Sequence, residues 1–304
     1  MGLDDMAWVL ISIAAAAFQT LRFMLQKVLA SGALSAGGAT LSRFLYSAPF
    51  VAVLATSYVG LTGQGMPALG SKFVGYAVTG ALAQILATWC VVALFAHRNF
   101  AVGITFKKTE VVQTALVGFL VLGDRVSVGG LVAILLGLVG VLVLSDLKGS
   151  AGQGGRRFLN KGAGLGLLSG ALFAISAVGY RGATLEVLSD DPLTRALVSL
   201  ACVTASQAIG LSLWISWREP GQMGRVLGSW RTSVWVGLAS LGGSLGWFTA
   251  FTLMNAAYVF AVGQVEVIFS IAASVLFFKE SLSRREITGI MLISASVLSL
   301  VLLL

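Results

Sequence analysis

Two glutamates, Glu110 and Glu266, interrupt long apolar stretches of a 304-residue chain. An ionised side chain at the centre of a membrane helix costs roughly 2.5–3.5 kcal/mol on insertion scales, so it pairs, lines a cavity or serves function. A desolvated carboxylate in general holds its proton to higher pH, which suits proton exchange. Glu110 and Glu266 therefore read as binders of a substrate amine or a coupling proton, or as structural ion-pair partners. Lys107 precedes Glu110 by three residues and can share its helix face, whereas Lys108 points elsewhere. Either lysine can hold a substrate carboxylate as a point charge, or snorkel towards an interface. Thr109 and Gln113 are spaced to line one face, and Gln113 is a cavity candidate.

Gln19, Arg22 and Gln26 form a polar stripe within the first apolar run. The Arg22 guanidinium suits bidentate capture of a carboxylate or phosphate, or a pair with Glu110 or Glu266. Gln84 and Gln264 are further cavity candidates whose amides can equally bridge helices. Arg43 and Arg195 fall near helix starts and read as anchors or loop clamps, with substrate contact as the alternative. Trp89, Trp247 and Phe248 can wall a pocket, with aromatic packing in lipid as the default reading. No HExxH, phosphate loop or nucleophile elbow occurs, and His97 is the single histidine. These absences disfavour an intramembrane enzyme or an ATP-driven pump, and the pattern calls for no cofactor and no metal.

The elements that must position these residues follow from composition. The chain is 57% hydrophobic and 11% charged, against about 25% charged in a soluble domain. So few charges cannot cover a water-exposed surface, and lipid is the expected solvent. The net charge of +8 comes mostly from short loops, as anionic headgroups favour, without the aromatic interleaving of a nucleic-acid surface. Cys90 and Cys202 lie in apolar runs and read as small hydrophobes. The N-terminus carries Asp4 and Asp5 rather than a basic leader, so the first run is expected to remain as a spanning helix.

Ten apolar segments are expected as helices, at about 6–29, 38–60, 71–95, 100–122, 128–146, 161–185, 191–217, 228–254, 257–278 and 284–304. Each is long enough at 1.5 Å per residue for a hydrocarbon core of about 30 Å, and backbone in lipid must satisfy its own hydrogen bonds. On this register Glu110 and Glu266 lie about ten residues into their helices, near the midplane. A shift of 156 residues superposes Phe95 on Phe251, Asn99 on Asn255, Ala101 on Ala257, Glu110 on Glu266, Asp124 on Glu280 and Ser127 on Ser283. A shift of 152 brings Arg43 onto Arg195 and Ser47 onto Ser199. The expected fold is therefore an all-α membrane protein of ten transmembrane helices as a 5+5 inverted repeat, with halves 1–147 and 161–304 joined by a glycine-rich loop at 148–160. An odd number of helices per half inverts the second half, which places a site at the midplane. Lys and Arg concentrate in the odd-numbered loops, Arg156, Arg157, Arg218 and Arg225 among them, which puts those loops in the cytoplasm and both termini outside.

Each half ends with an apolar helix, a short acidic turn and a last apolar helix. The first such turn runs Leu122-Gly123-Asp124-Arg125-Val126-Ser127, and the second Phe278-Lys279-Glu280-Ser281-Leu282-Ser283. With the repeat, this pattern resembles the drug/metabolite transporter superfamily, specifically its EamA-type ten-helix members, over nearly the whole chain. The family usually has Glu where Asp124 stands, and often a Pro in the fourth and ninth helices that is missing here. The resemblance implies cytoplasmic termini and secondary transport of small polar metabolites, often amino acids and their relatives.

The expected function is ion- or exchange-coupled transport of a small polar metabolite by alternating access. The basic midplane residues lean towards a carboxylate-bearing substrate. A channel or a non-transporting scaffold is the alternative. The expected setting is a bacterial inner or cell membrane, with lipid and a small-molecule substrate as partners, proton coupling as an option, no nucleic acid, and a monomer or homodimer.

Overall fold

A computed structural model describes residues 3–30, 32, 34–63, 65–94, 107–144, 161–269, 272 and 284–303. Phe95, His97, Asn99, Ala101, the loop at 148–160 and the second acidic turn from Lys279 to Ser283 lie outside the described residues. The helices are α1 (Leu3–Ala30), α2 (Ala36–Leu61), α3 (Phe73–Leu94), α4 (Glu110–Leu122), α5 (Val128–Leu144), α6 (Lys161–Leu185), α7 (Pro192–Arg218), α8 (Gln222–Gly228), α9 (Trp230–Leu253), α10 (Ala256–Val262) and α11 (Arg284–Leu303). Six of them, α1, α2, α3, α6, α7 and α9, are long and apolar enough to cross a membrane, and the helices near 110–122, 128–143, 256–269 and 287–303 are shorter and apolar.

Local chemistry sets several boundaries. Ser35 caps α2 by accepting from Gly38 N at 3.0 Å. Asp191 caps α7 by accepting from Leu193 N and Thr194 N, and Pro192 occupies the first helical position, where its missing N–H costs nothing. Helix α4 ends in a left-handed glycine cap, with Gly123 at φ 69° and its N–H donating to Phe119 O at 3.2 Å. That turn fixes Asp124, whose carboxylate receives the Arg181 fork, Nε to Oδ2 at 2.7 Å and NH2 to Oδ1 at 3.2 Å.

Two features depart from the sequence reading. The connection expected between the seventh and eighth spans contains α8, entered through Gly221 at φ 82° and seated by the buried Gln222 and Val226. Arg43 and Arg195 are not equivalent in their helices. Arg43 is the eighth residue of α2, whereas Arg195 is the fourth of α7. The two N-caps fix the starts, and the 152-residue match ignored them. Arg195 donates through Nε to Val187 O at 3.1 Å and clamps the preceding loop.

Helix α3 packs along α6, α1 along α9, α2 along α7 and α5 along α11, while α4 packs on α6 and α10 on α1. Phe44, Tyr180, Leu197, Leu200, Ile215 and Phe248 are fully buried between them. Large apolar side chains such as Leu10, Val53, Val132, Trp217, Trp235 and Leu302 face outward, which is the surface lipid favours and water does not. Even-numbered connections meet at one end, where Gly70 N donates to Glu186 O at 2.7 Å and Leu69 bridges Val187. Odd-numbered ones meet at the other, where Tyr46 Oη donates to Val226 O at 3.3 Å and the Ser35 hydroxyl donates to Glu219.

Candidate functional site

Two helices break beside the two glutamates. The chain turns at Lys108–Thr109 before α4 begins at Glu110, and it turns again at Gly263–Gln264 before helix resumes at 265–269. The hydrogen bonds tighten there to three-residue spacing: Gln264 N donates to Ala261 O, Glu266 N to Gly263 O and Val112 N to Thr109 O. Both carboxylates thus stand in the first turn of a half-helix, where unpaired N–H groups favour negative charge. The expectation of continuous helices over 100–122 and 257–278 is corrected at Lys108–Thr109 and at Gly263–Gln264, while residues 100–106 lie outside the described residues.

Close backbone contact holds the breaks in place. A Cβ on Gly170 of α6 would meet Lys107 O at 2.9 Å, so α6 rides directly on the first break. A Cβ on Gly263 would meet the Trp247 ring at 2.7 Å.

The expected polar residues fall into two groups and one outlier. Lys108 Nζ lies 2.8 Å from Glu266 Oε2. Gln19 Nε2 donates to the same oxygen at 3.1 Å, and Gln19 Oε1 accepts from Trp247 Nε1 at 3.1 Å. Lys107 Nζ lies 2.9 Å from Glu110 Oε1, and its ammonium sits 4.8 Å from the Phe173 ring centre. Gln113 Nε2 donates to Thr109 Oγ1 at 3.0 Å. Among the described residues, three buried oxygens around the breaks lack a hydrogen-bond partner, namely Glu110 Oε2, Gln113 Oε1 and Gln264 Oε1. All three are acceptors, so a ligand that donates hydrogen bonds, such as an ammonium, suits them.

Arg22 stands apart. Its NH1 donates to Gln26 Oε1 at 3.0 Å, its guanidinium lies 4.1 Å from the Phe23 ring centre, and Gln26 passes the contact on to Ala39 O. Neither Glu110 nor Glu266 is within ion-pair distance of it. Gln84 belongs to a different wall, where Tyr180 Oη and Gln207 Nε2 donate to its Oε1 at 2.9 and 3.0 Å.

Five further participants, Trp247, Phe248, Arg43, Tyr180 and Gln207, were not among the expected site residues. Trp247 and Phe248 are buried rather than turned to lipid, because α9 is enclosed by α1, α2 and α7. Arg43 is buried in α2 and not an interfacial anchor. Tyr180 and Gln207, in α6 and α7, join the network with Gln84. A central cavity of about 20 Å³ is walled by Gln19, Gln84, Tyr180, Ser244 and Trp247 together with phenylalanines 173, 248, 251 and 260. That is room for about one water, so the polar residues are closed around each other in this conformation.

Residues 160–302 match the sequence profile of the EamA-like transporter family. A solved structure described as "Crystal structure of protein" superposes with a TM-score of 0.72 at 15% identity, covering 98% of this chain and 97% of that one, and so shares the fold. No curated protein sequence matches the chain. With six helices long and apolar enough to cross a membrane and a second half similar to EamA-like transporters, the chain is an integral membrane protein.

Proposed function

We propose that this EamA-like chain is a secondary transporter. It carries a small polar, carboxylate-bearing metabolite, such as an amino acid or relative, across a cell membrane (the bacterial inner membrane) by alternating access. The reading includes ten transmembrane helices in two inverted halves, 1–147 and 161–304, joined by 148–160.

The observation that carries the proposal is the Lys108–Glu266 pair. It joins one broken helix to the other in the protein interior, with Gln19 as a third partner. Broken helices that present half-helix ends to a midplane site are the recurring device of inverted-repeat transporters. Support for the repeat comes from the element starts. An offset of 156 carries Ala36, the first residue of α2, to Pro192, the first of α7, and brings Glu110 onto Glu266, each in the first turn of its helical stretch. The packing follows the same exchange: α1 lies along α9 and α3 along α6, while α2 meets α7 and α5 meets α11.

In the mechanism this supports, a substrate amine or a proton competes with Lys108 for Glu266. Neutralising either carboxylate weakens the tie between the breaks, so occupancy and the relative position of the halves are coupled. A pair exchanged in this way needs no metal or organic cofactor. Reconstituted vesicles test the reading with a panel of amino acids and organic acids. Saturable uptake, lost in Glu266→Gln and in Glu110→Gln, is the expected result. Uptake unchanged in both variants would falsify it.

A further inference from the structure

Arg43 is 3% exposed, inside α2. Its guanidinium donates to three hydroxyls: Nε to Ser240 Oγ at 2.9 Å, NH1 to Thr88 Oγ1 at 3.0 Å and NH2 to Ser244 Oγ at 3.3 Å. The guanidinium carbon lies 4.9 Å from the Phe44 ring centre. Among the described residues no carboxylate lies within ion-pair distance of it. Hydroxyls satisfy the geometry of a guanidinium but not its charge. A charge-assisted bond to an anion is about twice as strong as a neutral one, and a buried cation is costly until an anion matches it. Lys107 and Lys108 each have a carboxylate. Among the described residues neither Arg22 nor Arg43 has a carboxylate within ion-pair distance, and Arg22 lies within electrostatic reach of both Arg43 and Glu266.

The position matters as much as the charge. Ser244, which holds one arm of the fork, walls the central cavity, as does Tyr180. Gln19 walls the same cavity and bonds Glu266. One side of this small space therefore leads to a guanidinium and another to a carboxylate.

We propose that Arg43 is the carboxylate-binding residue of the central site, with Ser240 and Ser244 as neutral placeholders that a ligand carboxylate displaces. This deepens, and rests on, the transport reading, and it fixes the substrate class as molecules bearing a carboxylate. The fork suits a carboxylate because two parallel N–H donors meet two oxygens. Both serines sit on α9, while Arg43 is on α2 and Thr88 on α3. Displacement of the serines therefore loosens α9 from α2, so binding and helix movement share one contact.

The test measures binding to the purified full-length chain in detergent, by calorimetry and thermal shift. The probes are alanine, lactate, glutamate and succinate, each against its amide counterpart. The wild-type chain is expected to bind at least one carboxylate roughly ten- to a hundredfold more tightly than its amide, the value of a charged hydrogen-bonded contact. Arg43→Gln is expected to bring acid and amide to equal affinity, and Arg43→Lys to keep part of the preference. Ser244→Ala keeps the guanidinium, removes a competitor and is expected to tighten carboxylate binding severalfold, which gives a reading even if Arg43→Gln does not fold. The proposal is overturned if wild type binds none of the four acids or makes no distinction from amides. It is also overturned if Arg43→Gln keeps the preference, or if Ser244→Ala binds no more tightly. Vesicles that show no transport while this binding preference stands would remove the transport reading and leave the Arg43 site intact.

Discussion

Lys108 Nζ stands 2.8 Å from Glu266 Oε2, an ion pair between residues 158 positions apart that ties one helix break to the other. Both side chains are shielded, with 3% and 14% exposure. Removing one member of such a pair leaves the other charge in a poor solvent. Lys108→Gln is expected to cost about 3–5 kcal/mol. The double variant Lys108→Gln/Glu266→Gln is expected to recover part of that loss, because neither charge remains, while staying inactive in vesicles. Chemical or thermal unfolding of the three variants gives the coupling energy. Strictly additive losses would show that the pair does not hold the breaks together.

Gly170 is where α6 touches the first break, and an added Cβ would meet the backbone oxygen of Lys107 at 2.9 Å. Backbone cannot turn aside as a side chain can. Gly170→Ala is expected to lower stability by about 1–3 kcal/mol and to disturb the Lys107–Glu110 pair beside it. Gly164, with nothing near its added Cβ, is the control position. Equal melting temperatures for the two alanine variants would contradict the close contact.

Asp191 caps α7 outside the membrane-spanning segment. Partial burial pushes its carboxyl up, but hydrogen bonds from Thr194, Leu193 and Tyr58 outweigh that and hold it below the ordinary aspartate value. A lowered carboxyl contributes stability that is fully present above the ordinary range of about 3.9 and is lost as pH falls through the lowered value. Asp191→Ala is expected to cost about 0.5–2 kcal/mol at neutral pH. The difference from wild type should shrink on acidification below about pH 4. A difference that is constant with pH would exclude the charged cap as its source.

Asp124 receives both arms of Arg181, and Arg181 NH1 also donates to Phe251 O and Met254 O at 2.7 and 2.9 Å. One guanidinium thus joins the α4–α5 turn, α6 and the end of α9 at the end where the even-numbered connections meet. Asp124→Asn is expected to cost about 1.5–3 kcal/mol, the range for hydrogen bonds to charged groups. Accessibility of a cysteine placed at Ser127 to a soluble maleimide should rise in the same variant. Unchanged labelling would mean that this end stays closed without the pair.

Some of the architecture was legible because it depends on local pattern. Lipid as solvent followed from so few charges, and helices followed because backbone in lipid must bond within itself. Pro192 after Asp191 sets a helix start, and Gly123 before Asp124 sets a helix end, through local backbone chemistry. The i,i+3 spacing put Lys107 on Glu110 and turned Lys108 away, and both relationships hold in the structure. The 13-residue length of α4 was not legible, because the break at Lys108–Thr109 carries no Pro or Gly. It depends on α6 approaching through Gly170.

The sequence by itself determined the solvent, the all-helical class and the short list of polar residues that must be reconciled with an apolar interior. These depend on composition, periodicity and near neighbours in the chain. Only the tertiary structure decided who meets whom. Lys108 finds Glu266 across 158 positions, Trp247 gives its N–H to Gln19 instead of facing lipid, and Arg43 turns inward to three hydroxyls on α3 and α9. Those choices follow from which helix faces pack together, and in a chain apolar on nearly every side no local period marks the inward face.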